Sequence, residues 1–366
     1  MSYNLKLQTT SYDPFIDFMK GVCIILVVLT HCLSEQLESN TLFQIWGRTA
    51  IPIFFIIQVF HVYKNGFDYR VPNIKKLWTR VLRPFLFIQL LIAILFLVSH
   101  PITDFRRYIS HIMRMGGYGP GEYYPWVFVQ IAFIGPMIAP IFKKLKPLQL
   151  LLFFIGVSQL IEVCTCFINV PDWPYYSLSC VRYIFLIYLG YILVTQGFAV
   201  NRIAIVISVI SLIATCYLTY SSQNYEPYFF ARTQWKYCHW ICYFYIAYLV
   251  IPCIKLAFGF LSSRFNNLAA LIKQIGKYSY EIYLFQMLYF VAIYHYIYNL
   301  VNHITTHYIL SSALCIIASI IFCITPPLNI QILFKKVYTL IGQETNAYHQ
   351  RLTSDFYWPL THQIIK

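Results

Sequence analysis

An ionisable side chain stands near each end of the first apolar run of this sequence, DPFIDFMKGVCIILVVLTH. Lys20 and His31 are 11 residues apart, and a helix advances about 100° per residue, so their side chains lie within about 20° of one another. At about 1.5 Å per residue, His31 lies about 16 Å beyond Lys20 along the axis. Asp17 precedes Lys20 by almost one turn and can pair with its ammonium group. The pattern indicates a cation at a membrane boundary and a histidine deeper on the same stripe.

Two interpretations of this stripe remain open from the residues alone. In one, Lys20 extends to the lipid headgroups as an anchor and His31 is hydrogen-bonded to a neighbouring helix. In the other, His31 acts on a substrate, since an ionisable group at bilayer depth is costly and usually functional.

A second candidate is the pair of arginines in RVLRP, where Arg80 and Arg83 stand at i and i+3. Two guanidinium groups on one face of a helix can bind phosphate oxygens bidentately. Ordinary anchoring at the cytoplasmic boundary of a span explains the pair equally well.

A third candidate is the polar stripe in GKYSYEIYLFQM. Gly276, Ser279, Tyr283 and Gln286 fall on a single helical face of about 80°. Polar groups on an apolar span are expected to face the interior of a bundle. Glu281 is expected on another face of the helix.

A polar stretch between two apolar runs carries further candidates. Its first part, DFRRYISHIMRM, is amphipathic and is expected to lie along the membrane surface. The following GGYGPGEYYPW, with Glu122 and Trp126, is too rich in Gly and Pro for a helix and predicts a loop or re-entrant turn.

The composition places these residues in a membrane protein. Of the 366 residues, 59% are hydrophobic and 11% are charged, whereas soluble domains average about 45–50% and about 25%. The net charge of +14 comes from short basic clusters between apolar runs, which are topology signals rather than a nucleic-acid surface. The 11 cysteines fall mostly within apolar runs, so neither a disulfide framework nor a metal site is expected.

The predicted fold class is an all-α, polytopic bundle of ten transmembrane helices. The predicted spans are 14–34, 42–63, 81–99, 124–142, 148–168, 179–196, 203–220, 237–258, 278–299 and 308–332. Alternate loops and the two termini hold 20 of the 27 Lys and Arg residues, which predicts that both termini are cytoplasmic. We expect one domain, 1–340, followed by a cytoplasmic tail, 341–366.

In their order and placement, these motifs resemble the integral-membrane acyltransferases of acyltransferase family 3, which O-acylate bacterial surface glycans. The matching pieces are IDFMKGVCIILVVLTH, RVLRP, YYPWVF and GKYSYEIYLFQM. The resemblance implies that His31 is essential and that Arg80 and Arg83 act on the acyl donor. Many members end the last motif in a histidine, where this chain has Gln286; hydrogen bonding to substrate remains open there.

We therefore expect transfer of an acyl group, taken to be acetyl, from acyl-coenzyme A to a hydroxyl of a surface or lipid-linked polysaccharide at the bacterial inner membrane. His31 would be the general base, with a covalent acyl-histidine left open, and Lys20, Arg80 and Arg83 would bind the donor phosphates. The residues expected to line the substrate path are Asp17, Glu122, Trp126, Ser279, Tyr283 and Gln286.

Two other classes of protein compete with this one. A transporter or flippase with a proton-relay histidine predicts an internal repeat and paired broken helices, and the sequence indicates neither. A structural assembly protein leaves the alignment of Lys20 with His31 unexplained. The oligomeric state is left open by the sequence.

Overall fold

The computed structural model describes residues 13–33, 41–64, 69–99, 102–168, 178–195, 197, 201–224, 239–305, 307, 309–327 and 329. The predicted tail, 341–366, lies outside these ranges. All regular secondary structure within them is helical, which confirms the all-α membrane bundle. The helices are α1 (Pro14–Thr30), α2 (Thr41–Gly47), α3 (Ala50–Lys64), α4 (Val71–Leu77), α5 (Arg83–Ser99), α6 (Ile102–Met115), α7 (Tyr124–Lys144), α8 (Pro147–Phe167), α9 (Ile184–Thr195), α10 (Arg202–Asn224), α11 (Trp240–Arg264), α12 (Asn266–Lys277), α13 (Ser279–Ala292), α14 (Tyr294–Ile304) and α15 (Ile309–Pro327).

The described part of the chain supplies seven helices that are long and apolar enough to cross a membrane. An eighth is added if α13 and α14, which are bent by 63°, form one span. The first and sixth predicted spans correspond to shorter helices, α1 with 17 residues and α9 with 12. The count of ten spans and the cytoplasmic side of the termini stay predictions.

The central helix of the bundle is α1. Asp13 caps it by accepting a hydrogen bond from the Phe15 N–H at 3.0 Å, and Pro14 occupies its first turn, where no amide hydrogen is needed. The helix packs against α3 and α12. Its apolar side chains are buried, Met19 and Cys23 completely. Because this apolar face packs along the length of α1, the helix cannot rotate about its axis, and the direction of its polar stripe is fixed.

The predicted ninth span, 278–299, is not one straight helix. It breaks at Ile293, where φ is −118° and ψ is −39°, and α14 continues at 63° to α13. The sequence changes there from apolar to amphipathic, and His295 hydrogen-bonds Asn299 one turn later at 2.9 Å. An amphipathic helix buries only one face, which favours turning away from the apolar path of α13.

The segment between α5 and α7 has the two parts expected from its sequence. The first is the amphipathic helix α6, and the second is a loop, 116–123, without helical structure. Three side chains from neighbouring helices fix this loop: Gln89 bonds the amide and carbonyl of Tyr118 at 2.7 and 3.1 Å, and the Trp126 indole donates to Gly116 at 2.6 Å. The Tyr283 hydroxyl donates to the Gly121 carbonyl at 2.8 Å. The loop is thereby held against α5 and α13.

The backbones of α1 and α12 approach closely where the two helices cross. A Cβ added at Gly276 would lie 1.7 Å from the Asp17 carbonyl oxygen, and one at Gly21 would lie 2.1 Å from that of Ile272. Only hydrogen fits at these two positions, so the backbones of the two helices touch directly. This contact brings the end of α12 and the start of α13 against the Asp17–Lys20 turn.

We expect Gly276→Ala to lower the free energy of unfolding by about 1–3 kcal/mol, the usual cost of overpacking. The added methyl group meets backbone, which cannot move aside as a side chain can. The measurement is thermal unfolding of the purified protein in neutral detergent. Gly259→Ala is the matched control, because no atom lies within 4 Å of a Cβ at that helical position. Equal unfolding temperatures for the two variants would contradict the proposed crossing.

Candidate active site

A cavity of about 850 Å³ lies among α1, α3, α7 and α13. Lys20, Ile24 and Val27 line it from α1, and these residues follow one another at helical spacing. His31 comes four residues after Val27 and therefore continues the same stripe beyond the cavity. The cavity thus lies along the face of α1 that carries both ionisable groups.

One end of the cavity is cationic. Lys20, Lys76, Arg80 and Lys277 all line it, together with the carboxylate residue Glu281. Lys76, Arg80, Lys277 and Glu281 are exposed, so the cavity opens at this end, which we call the mouth. An anionic ligand would meet more positive than negative charge there.

Lys20 connects the mouth to the centre of the bundle. Its ammonium group pairs with Asp17 at 2.6 Å, as the sequence predicted. Asp17 is itself buried, with 7% of its surface exposed, which fixes Lys20 in place. The Lys20 charge also acts on His61 and Glu281, so Glu281, expected on another face, belongs to the mouth.

Arg83 does not share this position with Arg80. It is exposed and is not among the residues that line the cavity. The cause is a π-helical turn, Trp78–Leu82, directly before Arg83. A π turn contains more residues than an α turn, so two side chains three residues apart no longer point the same way. The expected pair of arginines is therefore split, with Arg80 alone in the cavity.

The middle of the cavity contains one incompletely bonded amide. The Gln58 side chain donates through Nε2 to the Phe128 carbonyl. Its Oε1 is buried and has no hydrogen-bond partner among the described residues. A ligand with an N–H group would satisfy this acceptor, and leaving it unmet costs free energy.

The inner end of the cavity is aromatic. The rings of Tyr124 and Tyr283 lie 5.5 Å apart, and both side chains are buried. Ser279 and Tyr283 line the cavity from α13, and Gln286 follows one turn beyond Tyr283. Gln286 is completely buried, and neither atom of its amide has a hydrogen-bond partner among the described residues. A buried, unpartnered amide thus lies one turn beyond Tyr283 on α13.

His31 lies beyond that end. Its ring contacts Phe290 edge-on, with centroids 5.6 Å apart, and Phe290 follows Gln286 by one helical turn. The side chain of His31 is exposed, and the charge of Arg48 acts on it. Arg48 is nearby because Gly47 allows α2 to approach Thr30: a Cβ at Gly47 would lie 2.3 Å from the Thr30 methyl group.

Glu122 and Trp126 do not line the cavity. Trp126 holds the loop 116–123, and Glu122 lies in that loop, outside the spanning helices. Burial raises the pKa of Glu122 to about 7. The carboxyl group is close enough to Tyr283 for its charge to act on that hydroxyl. A carboxyl group with a pKa near neutrality can exchange a proton at working pH.

We expect Glu122→Gln to stabilise the protein above pH 7 and to leave its stability unchanged near pH 4.5. The folded state holds the Glu122 proton to about pH 7, whereas the ordinary pKa of the free group is 4.5. Wild-type stability therefore falls as the pH rises through this window. The gain at pH 8 should be about 1–2 kcal/mol after allowance for partial exposure. Thermal unfolding at both pH values measures it, and an equal gain at both would exclude titration of Glu122 as the cause.

The structure therefore sorts the candidate residues into groups. Lys20, Arg80, Ser279 and Tyr283 line one cavity, and Asp17 positions the first of them. His31 and Gln286 lie past the inner end, while Arg83 lies outside.

Four charged or strongly polar lining residues stand out among those that the sequence did not assign to the site: Gln58, His61, Lys76 and Lys277. Gln58 and His61 were missed, although a polar pair three residues apart in an apolar span is a signal of the same kind as Lys20 and His31. Lys76 and Lys277 were counted only as topology signals.

Comparison with known proteins adds one finding. A family model described as an acyltransferase domain matches residues 13–326, which include every residue of the site. Searches of curated proteins and of solved structures found no match.

Proposed function

The chain belongs to acyltransferase family 3, a family of membrane acyltransferases, and we propose that it transfers an acetyl group from acetyl-coenzyme A to a hydroxyl of a surface or lipid-linked polysaccharide. We place it in the bacterial inner membrane with the mouth of the cavity on the cytoplasmic side. The observation that carries the proposal is the cavity itself, which is cationic at its mouth and aromatic inside and runs along the stripe that ends in His31.

The donor fits the chemistry of this cavity. Its volume of about 850 Å³ lies within the range of about 300–1,000 Å³ typical of small-molecule sites. Lys20, Lys76, Arg80 and Lys277 would bind the phosphates of coenzyme A at the mouth. The pantetheine arm would extend inward, where one of its amide N–H groups can donate to Gln58 Oε1.

The reaction places the thioester near Gln286 and His31. His31, in its neutral form, removes the proton from the acceptor hydroxyl while the hydroxyl oxygen attacks the thioester carbonyl carbon. The C–S bond then breaks, and the departing thiolate takes the proton from the imidazolium. The buried Gln286 amide, one turn beyond Tyr283, is placed to hydrogen-bond the acceptor.

Radiolabelled acetyl-coenzyme A tests the proposal directly. The purified protein in neutral detergent should bind it saturably, and unlabelled coenzyme A should displace it. Acetylcholine, which carries the acetyl ester without phosphates, should not compete. Absence of saturable binding by folded protein would exclude the donor. Label that stays attached after denaturation would instead indicate a covalent acyl-enzyme.

We expect Gln286→Met to stabilise the protein and slow transfer. Methionine has a similar volume and removes a buried amide that lacks a partner, which should raise the free energy of unfolding by about 1 kcal/mol. Losing one hydrogen bond to the substrate should lower turnover about two- to tenfold while donor binding is unchanged. Thermal unfolding and single-turnover transfer measure the two effects. A stabilised variant with full activity would remove Gln286 from the site.

A further inference from the structure

A second cavity, of about 530 Å³, lies at the other end of α5 from the mouth of the first. It is lined by Phe96, near the end of α5, and by residues of α6 and the following loop. The 17 residues of α5 span about 26 Å at 1.5 Å per residue. Pro84, which lines the first cavity near its mouth, and Phe96 are 12 residues apart, so the second cavity lies about 18 Å along α5 from the mouth of the first.

Its charged lining residues are all arginines: Arg106, Arg107 and Arg114. Arg106 and Arg114 stand two turns apart on one face of α6, with Ser110 between them. The loop charges predict that this end of the bundle is the non-cytoplasmic side, where basic residues are otherwise sparse. The positive-inside rule therefore does not explain three arginines in one short helix. Like charges three or four residues apart on a helix also repel one another.

The cavity also contains a buried donor without a partner. Tyr108 has only 2% of its surface exposed, and its hydroxyl has no hydrogen-bond partner among the described residues. Its ring stacks on Phe96 with centroids 4.6 Å apart, which fixes its direction. Burial raises the pKa of Tyr108 to about 12, so the hydroxyl keeps its proton and can donate.

The neighbouring face of α6 is suited to contact with lipid. Ile109 and Met113, one turn apart, are 41% and 76% exposed. A helix with exposed apolar side chains beside arginines typically lies at the level of the lipid headgroups. A ligand in the cavity would then be at the depth of lipid phosphates.

We propose that this cavity binds a phosphate group, which Arg106 and Arg114 hold through charge-assisted hydrogen bonds and to which the Tyr108 hydroxyl donates. The phosphate can belong to an anionic phospholipid or be presented in free or glycan-linked form. The site goes beyond the proposed transfer reaction and does not depend on it, because it shares no residue with the first cavity.

The experiment measures two probes on the purified full-length chain in neutral detergent. Native mass spectrometry records binding of phosphatidic acid against diacylglycerol with the same acyl chains, and calorimetry records binding of inorganic pyrophosphate. The variants are Arg106→Gln with Arg114→Gln, and Tyr108→Phe. Arg202→Gln, which changes an exposed arginine at the start of α10, is the matched control.

The double arginine variant should weaken binding of at least one probe by about tenfold or more. Tyr108→Phe should weaken it about two- to tenfold, and Arg202→Gln should leave it unchanged. Loss for phosphatidic acid alone assigns the site to a phospholipid, and loss for pyrophosphate alone assigns it to a free or glycan-linked phosphate. If the double variant does not fold, Tyr108→Phe decides. Binding of neither probe, insensitivity to the cavity variants, or an equal loss in Arg202→Gln overturns the proposal.

Discussion

The His31→Ala variant is expected to bind acetyl-coenzyme A as tightly as the wild-type protein and to transfer the acetyl group about 10²- to 10⁴-fold more slowly, the usual contribution of a positioned general base. Donor binding is unaffected because the mouth residues lie about 16 Å from His31 along α1. Turnover falls because His31 is the base proposed to accept the hydroxyl proton, and alanine cannot accept it. Saturation binding and steady-state transfer separate the two effects.

Two controls sharpen this prediction. His295→Ala removes an exposed histidine whose described hydrogen bond is to Asn299 on its own helix, and it should leave turnover unchanged. Added imidazole should restore part of the activity of His31→Ala, because a soluble base can occupy the space that the ring leaves. A variant that loses donor binding and turnover together, while folded, would contradict the assignment of His31 to the acceptor.

Arg80→Ala should have the opposite signature. Loss of a charge-assisted hydrogen bond to a donor phosphate should weaken acetyl-coenzyme A binding by about 1.5–3 kcal/mol, and transfer at saturating donor should be nearly normal. Salt should imitate the loss only in part, because screening is incomplete for a bonded phosphate in a cavity. Titration of labelled donor at low and high salt measures both effects.

Arg83→Ala is the matched control for Arg80→Ala. The sequence assigned both arginines to the donor, whereas the π-helical turn leaves Arg83 outside the cavity. We therefore expect Arg83→Ala to weaken donor binding far less than Arg80→Ala. Equal losses would mean that the donor extends beyond the cavity or that the π-helical turn rearranges when it binds.

The sequence predicted well the features that depend only on the regular geometry of a single helix. The alignment of Lys20 with His31, the Asp17–Lys20 pair and the common face of Tyr283 and Gln286 need only the helical repeat. Each of these features lies within one uninterrupted helix of the structure or at its end. Local periodicity is therefore sufficient where neighbouring turns decide the position of a side chain.

The features that the sequence could not predict depend on interruptions of the helix or on contacts between distant segments. The π-helical turn separates Arg80 from Arg83, and the break at Tyr278 puts Gly276 on α1 rather than on the cavity face. The approach of Arg48 to His31 depends on α2 packing on the end of α1. None of these has a marker in the residue pattern, because each is set by tertiary packing.

The direct backbone contact of α1 and α12 at Gly21 and Gly276 has a consequence for ligand entry. Where two helices touch backbone to backbone, no side chain can change rotamer to widen the cavity. Sliding one helix past the other would force their backbones together. Another wall is formed by α4 and the π-helical turn, whose hydrogen bonds are less regular. Most side chains of this segment are exposed, although Leu77 and Val81 are buried. The mouth therefore has one fixed side and one side that can move. We expect a long nucleotide-bearing donor to enter when residues 71–82 are displaced, and Arg80 moves with this segment.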